Sequence, residues 1–189
     1  MGTRLIMSCL LVAGFIQQTT AQKLEEGQRR GLVQANASLY PAFMLNHPIQ
    51  NNYVAGHTTY YFHDKYSFRG EALAYIDAQK EVKYLSRHYQ VEVGFGRHFP
   101  VKRWDPFIYY TMGLASVRLQ TASKNYVQPT IGIIVGLHYN VNRFFHFFAE
   151  GHYGHMQDPG REINLDQIYV SGGLGFQLPT RNLGKNKNR

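Results

Sequence analysis

From Gly31 onward apolar and polar residues alternate with a period of two, the signature of strands whose two faces meet different surroundings. Val33, Ala35, Ala37 and Leu39 alternate with Gln34, Asn36 and Ser38, and Tyr89, Val91, Val93 and Phe95 alternate with Gln90, Glu92, Gly94 and Gly96. Ile131, Ile133, Val135, Leu137, Tyr139 and Val141 make a third apolar row against Gly132, Gly136, His138 and Asn140. A fourth, Phe145, Phe147, Ala149 and Tyr153, runs against His146, Glu150 and His152. Helical spacing fits none of these. The pattern predicts eight strands, at 31–42, 52–62, 66–76, 87–99, 106–119, 129–141, 144–154 and 167–178. Such lengths match the ~9–11 residues with which a tilted strand crosses a bilayer and exceed the ~5–6 of an ordinary soluble strand.

The connections alternate in length. Short turns at 63–65, 100–105 and 142–143 face longer loops near 43–51, 77–86, 120–128 and 155–166. With both chain ends on the short-turn side, this predicts an all-β, eight-stranded antiparallel up-and-down transmembrane β-barrel, its short turns periplasmic and its long loops extracellular. Aromatic residues crowd the short turns: Tyr60, Tyr61, Phe62, Tyr66 and Phe68, then Phe95, Phe99, Trp104, Phe107 and Tyr109, then Tyr139, Phe144, Phe145 and Phe147. They read as one interfacial belt, with Tyr40, Phe43, Tyr53, Tyr75, Tyr126, Tyr153 and Tyr169 as the opposing one. The competing architecture is a soluble lipocalin-like barrel with its apolar face turned inward around a ligand. The less apolar face is poor in Lys and rich in Gly, Ser, Gln, Glu and His, which suits a packed polar lumen and favours the membrane barrel.

The first residues add the compartment. Arg4, an apolar run from Leu5 to Ile16 and a polar stretch ending at Ala21 read as a secretory signal peptide, 1–21, with cleavage after Ala21. Twelve apolar residues are too few for a membrane helix, which takes ~20. Residues 22–30 form a short polar segment, 31–178 the barrel domain and 179–189 a basic, flexible periplasmic tail. The single cysteine, Cys9, lies inside the signal, where no lipobox precedes it. A mature chain without cysteine has no disulfide, no thiolate metal site and no cysteine nucleophile. Removing Arg4 leaves nineteen basic against twelve acidic residues, a net charge of +7, of which Arg181, Lys185, Lys187 and Arg189 supply four. Export disfavours nucleic acid as a partner, whereas anionic lipid headgroups fit.

The segment Tyr60-Tyr61-Phe62-His63-Asp64-Lys65-Tyr66-Ser67-Phe68-Arg69-Gly70-Glu71 and the ending Val170-Ser171-Gly172-Gly173-Leu174-Gly175-Phe176, following an export signal ending Ala21-Gln22, resemble Bacteroidota outer-membrane proteins with an OmpA-type (OmpA/OmpX-like) β-barrel domain. Asp105-Pro106-Phe107 through Gly113 and Phe147-Phe148-Ala149-Glu150 fit the same pattern. The likeness spans the mature chain and rests on degenerate strand patterns. It implies a small protein of the bacterial outer membrane with a structural or interaction role, no catalysis, no cofactor, and outer-membrane lipid, lipopolysaccharide and the barrel-assembly machinery as partners.

Four groups of residues are candidates for chemistry. Arg69, Glu71, Glu92 and Glu150 share the inward face, where charges remote from water must pair, so a structural ion-pair network is the expectation. An eight-stranded lumen filled by side chains leaves no open pore. His146 and His152 belong to the same polar lumen but lie six residues apart, roughly 20 Å along a strand, too far to share a metal. With His138 nearby, hydrogen bonding to Glu150 accounts for them, and no metal site is expected. His155-Met156-Gln157-Asp158-Pro159-Gly160 faintly resembles the His-x-Ser-Asn segment of lipid A deacylases, which would make the chain a lipid A-modifying enzyme. Gln157 stands in place of the nucleophilic serine, and an amide cannot form an acyl-enzyme. Lys80, Lys83, Arg87, Arg118, Lys124 and Arg161, in or beside the long loops, sit at the height of lipopolysaccharide phosphates and are its expected contacts.

Overall fold

The computed structural model describes residues 29–46, 49–78, 85–120, 124–156 and 165–180. The eight expected strands are β1 (Leu32–Met44), β2 (Gln50–His63), β3 (Tyr66–Ala78), β4 (Leu85–His98), β5 (Trp104–Leu119), β6 (Tyr126–Asn140), β7 (Phe145–His155) and β8 (Gln167–Pro179). Each pairs antiparallel with the next, and β1 pairs with β8 to close an up-and-down barrel. Strands run further toward the long loops than hydropathy alone predicts, because the polar residues Gln50, Asn51 and Asn52 continue the ladder against Phe43, Ala42 and Pro41. Residues 1–28, which include the expected signal 1–21, and 181–189, most of the expected tail, lie outside the described residues.

Alternation decides what faces where. Val91, Val93, Met112, Ile131, Val135 and Phe147 are exposed on the outer wall, whereas Gln90, Glu92, Thr111, Thr130, His146 and Glu150 are buried inside. The barrel is therefore polar within and apolar without, the reverse of a lipocalin. Face parity also corrects the aromatic belts. Tyr60, Phe68, Phe95, Phe99, Trp104 and Phe147 do lie outward beside the short turns, with Tyr66 stacked on Phe95 at 5.8 Å. Tyr61, Phe107 and Tyr109 instead point inward. At the long-loop end only Phe43, Tyr126 and Tyr153 of the expected seven are outward, while Tyr40, Tyr53 and Tyr169 fill the interior. Tyr75 also turns inward onto these side chains, where a register shift beside Tyr53 breaks the simple alternation. Closeness to a strand end does not set a face; odd or even position in the pleat does.

The interior is layered. Met44, Ile49, Leu85, Val117, Met156 and Leu165 make an apolar plug under the long loops, and a tyrosine layer of Tyr40, Tyr53 and Tyr169 follows. Ionic and histidine layers fill the rest. Large side chains fit because glycine stands opposite them: a Cβ on Gly96 would collide with the Tyr109 ring, and one on Gly175 with Asn36 and His146.

The closing seam is the least regular. Leu32–Ala35 pair with Phe176–Pro179 and Ala42–Met44 with Gln167–Tyr169 in one common register, with no ladder pair between the two runs. Pro41, which has no N–H to donate, falls in that interval, and the Ser38 hydroxyl donates to the Gly172 carbonyl at 3.0 Å across it.

Gly96→Val should lower stability by about 1–3 kcal/mol through overpacking against Tyr109. Gly70→Val, where a new Cβ meets nothing within 4 Å, should be near neutral in the same urea titration of the refolded barrel.

Candidate functional site

The charged layer is built from odd positions of β2 and β3 and even positions of β4 and β7, all of which the pleat turns inward. Arg69 sits at its centre. Its Nε donates to Glu71 Oε2 at 2.9 Å, Nη1 to Glu150 Oε2 at 2.7 Å, and Nη2 to Glu150 Oε1 at 2.7 Å. The grip on Glu150 is bidentate, the geometry in which guanidinium and carboxylate pair most strongly. Nη2 also donates to His57 Nδ1 at 2.8 Å. Because a guanidinium only donates, His57 accepts at Nδ1 and carries its ring proton on Nε2, so the Asn36 side chain, whose terminal amide lies 2.6 Å away, accepts that proton only with its oxygen turned to the ring. The Tyr40 hydroxyl donates to Glu150 Oε1 at 2.5 Å, completing a shell that leaves no member in contact with water.

Glu92 lies in a separate pocket of donors. Gln90 Nε2 and the Thr130 hydroxyl donate to its Oε1 at 2.8 and 2.9 Å, and His152 Nε2 stands 3.4 Å from Oε2. Of the six residues expected in the lumen network, Arg69, Glu71 and Glu150 are thus joined directly, Glu92 and His152 form a second pair, and His146 belongs to neither.

His146 and His138 lie lower, toward the short turns, and do not hydrogen-bond Glu150 as expected. Their rings meet edge to face at 4.9 Å beside Asp105. Asp105 Oδ2 is 2.9 Å from His98 Nδ1 and 3.8 Å from His138 Nδ1, accepts from the Tyr61 hydroxyl at 3.2 Å and is ion-paired with Arg29. Arg29 reaches this carboxylate from outside β1, since its backbone N–H and that of Arg30 donate to Asp64 in the β2–β3 turn. The short-turn mouth is closed by this guanidinium. His57, His98, Asp105 and Arg29 escaped the sequence reading. Parity would have found His98, two residues beyond Gly96 on the inward row of β4, whereas Arg29 precedes the first strand and carries no periodic signal.

At the long-loop rim Arg87 and Arg118 are direct cross-strand partners on β4 and β5, Arg87 exposed, and Lys124 is exposed just before β6. Lys80, Lys83 and Arg161 lie outside the described residues, as does Gln157. His155 Nδ1 is 2.6 Å from Asp166 Oδ1, and the Tyr153 hydroxyl donates to Asp166 Oδ2 at 2.9 Å. This is a base held by a carboxylate, with no serine, threonine or cysteine hydrogen-bonded to the imidazole among the described residues.

Several solved structures are similar to this barrel, among them three of bacterial surface and outer-membrane proteins. Neisserial surface protein A superposes with a TM-score of 0.58 at 14% identity, over 78% of this chain and 96% of that one. The N-terminal barrel domain of Pseudomonas aeruginosa OprF gives 0.57 at 16% identity, over 80% and 100%. The outer membrane protein OprG of the same species gives 0.54 at 13% identity, over 81% and 98%. The chain has the eight-stranded antiparallel fold of these transmembrane barrels. No protein-family model matches the sequence, and neither does any curated protein.

Arg69→Met should cost about 3–5 kcal/mol, since it strands Glu71 and Glu150 together in a dry layer. Adding Glu71→Leu and Glu150→Leu should restore most of the loss in denaturant titrations. If the single and triple variants are equally unstable, the cost lies in packing and not in unpaired charge.

Proposed function

We propose that this chain is a small outer-membrane barrel, exported by residues 1–21, whose role is structural or interactional and neither porin-like nor catalytic. The observation that carries this reading is the inversion of the two walls. An outer face bearing Val91, Val93, Met112, Ile131 and Val135 belongs in hydrocarbon, while the interior is occupied from end to end by the plug, tyrosine, ionic and histidine layers. Side chains that fill the lumen leave no water-filled path for solutes. The deacylase alternative finds a held imidazole in His155 but, among the described residues, no nucleophile bonded to it.

Its interaction surface is the long-loop rim, and lipopolysaccharide is the partner whose chemistry suits it. Arg87 and Arg118 are cross-strand partners on the rim above the apolar band, and Lys124 lies on the next strand connection. Cationic groups gathered at that height suit a phosphate, with which they form charge-assisted hydrogen bonds. The short turns then face the periplasm, where the barrel-assembly machinery receives the chain and the basic tail meets anionic partners.

Two experiments test placement. Val135→Arg should destabilise the barrel in lipid vesicles by about 2–4 kcal/mol, the depth-dependent cost of a cation at the midplane. In a chain whose only cysteine leaves with the signal, a cysteine at Asn125 should react with an impermeant maleimide on intact cells and one at Asn142 should not. Labelling at Asn142 alone would invert the barrel and move Arg87 and Arg118 away from lipopolysaccharide. Recovery of the protein in the soluble periplasmic fraction would remove the membrane from the account.

A further inference from the structure

We infer that His98, Asp105 and His138 form a binding site for a divalent transition-metal ion such as Zn2+, just inside the short-turn mouth. The three residues come from adjacent strands. His98 ends β4, Asp105 opens β5, and His138 is the direct cross-strand partner of Asp105 on β6. One donor atom from each lies within 4.8 Å of the others, and all three side chains are buried. Two imidazoles and a carboxylate are the donor set that Zn2+ accepts, with bonds of about 2.0–2.2 Å. His138 has to move inward to reach that distance, and neither of its ring nitrogens has a hydrogen-bond partner to lose.

Two further observations point to a ligand. His146, also buried and with both ring nitrogens unpartnered, stands with its ring 4.9 Å from that of His138, and it lies outside the three-residue set, so its ring would have to swing to add a fourth donor. His98 is already held as a metal-bound histidine is held: with Nδ1 turned to Asp105, its Nε2 lies 2.8 Å from both the Ser67 and Tyr109 hydroxyls, which can accept the ring proton. Binding needs a neutral His98 with its one ring proton on Nε2, against the two hydroxyls, so that the Nδ1 lone pair is free for the ion; a proton resting on Nδ1 moves to Nε2, or to solvent where Nε2 already holds one.

The other such cluster among the described residues, His57, Glu71 and Glu150, has its centre filled by the Arg69 guanidinium. At the His98 site the competing cation is Arg29. It enters from the mouth and is tethered through its backbone to Asp64, so its side chain can leave Asp105 while the chain stays in place. Arg29 and the metal are therefore alternative partners of one carboxylate.

The test is calorimetric titration of the tag-free barrel, refolded in detergent, with Zn2+, and absorption spectroscopy with Co2+ as a reporter of the ligand set. The expected result is one ion per barrel, lost in His138→Leu and in His98→Gln. Arg29→Gln should bind more tightly than the native chain, because a competitor is gone. Tyr109→Phe should weaken binding about tenfold, the lower end of what removing a partner of a ligating histidine costs. Heat-dependent gel mobility shows that each variant is folded. No saturable binding by the folded native chain overturns the site, as does binding unchanged in both His138→Leu and His98→Gln, which would place the ion on the exposed His63 or the rim His155. Binding weakened by Arg29→Gln would overturn the exchange between guanidinium and metal.

Discussion

Everything inside this barrel depends on the Arg69 guanidinium being fully satisfied. An eight-stranded wall with its apolar side outward has no aqueous interior in which a charge can be left alone, so each inward charge must find its partner among the inward side chains. Arg69 binds β3 to β7 through Glu150 and to β2 through His57, while Tyr40 brings β1 to the same carboxylate. Side-chain contacts thus tie together strands that share no backbone ladder. The wall supplies the hydrogen-bonded cylinder and the ionic layer fixes its cross-section.

Fold and faces were legible in the sequence because both follow from local rules. A period of two, turn residues at two spacings and strands of a dozen residues need no knowledge of distant contacts, and they place all eight strands. Inward direction was equally readable for Arg69, Glu71, Glu92, Glu150, His146 and His152. What period and spacing could not convey was which inward residues meet. His138 and Glu150 are on neighbouring strands, yet the tilt of the wall puts His138 opposite Phe148 and beside Asp105. The same shortfall put Tyr40, Tyr53 and Tyr169 in a membrane belt, where their position along the strand was read correctly and their face was not.

Glycine and tyrosine make the layers possible together. Tyr109 lies over β4 only where Gly96, its direct cross-strand partner, has no side chain, and its hydroxyl then reaches His98 and Ser67. The high content of both residue types is, at the level of packing, a pairing of large with absent side chains. It lets a narrow cylinder hold six-membered phenol rings without widening.

The interrupted seam has a kinetic consequence. Seven of the eight strand pairings join chain neighbours and close small loops. The eighth joins Gln34 to Gln177 across 143 residues, and its entropic cost is the largest of all because that cost grows with the length of chain closed. This same pairing is the one shortened by Pro41, so the slowest contact to form receives the fewest backbone hydrogen bonds in return. Closure must therefore lean on side chains at its two ends: Gln34 with Gln177 near the short turns, and Gln167 holding Asn51 and Tyr53 near the long loops. The entropy of closing so long a stretch makes the β1–β8 edge the pairing expected to form last.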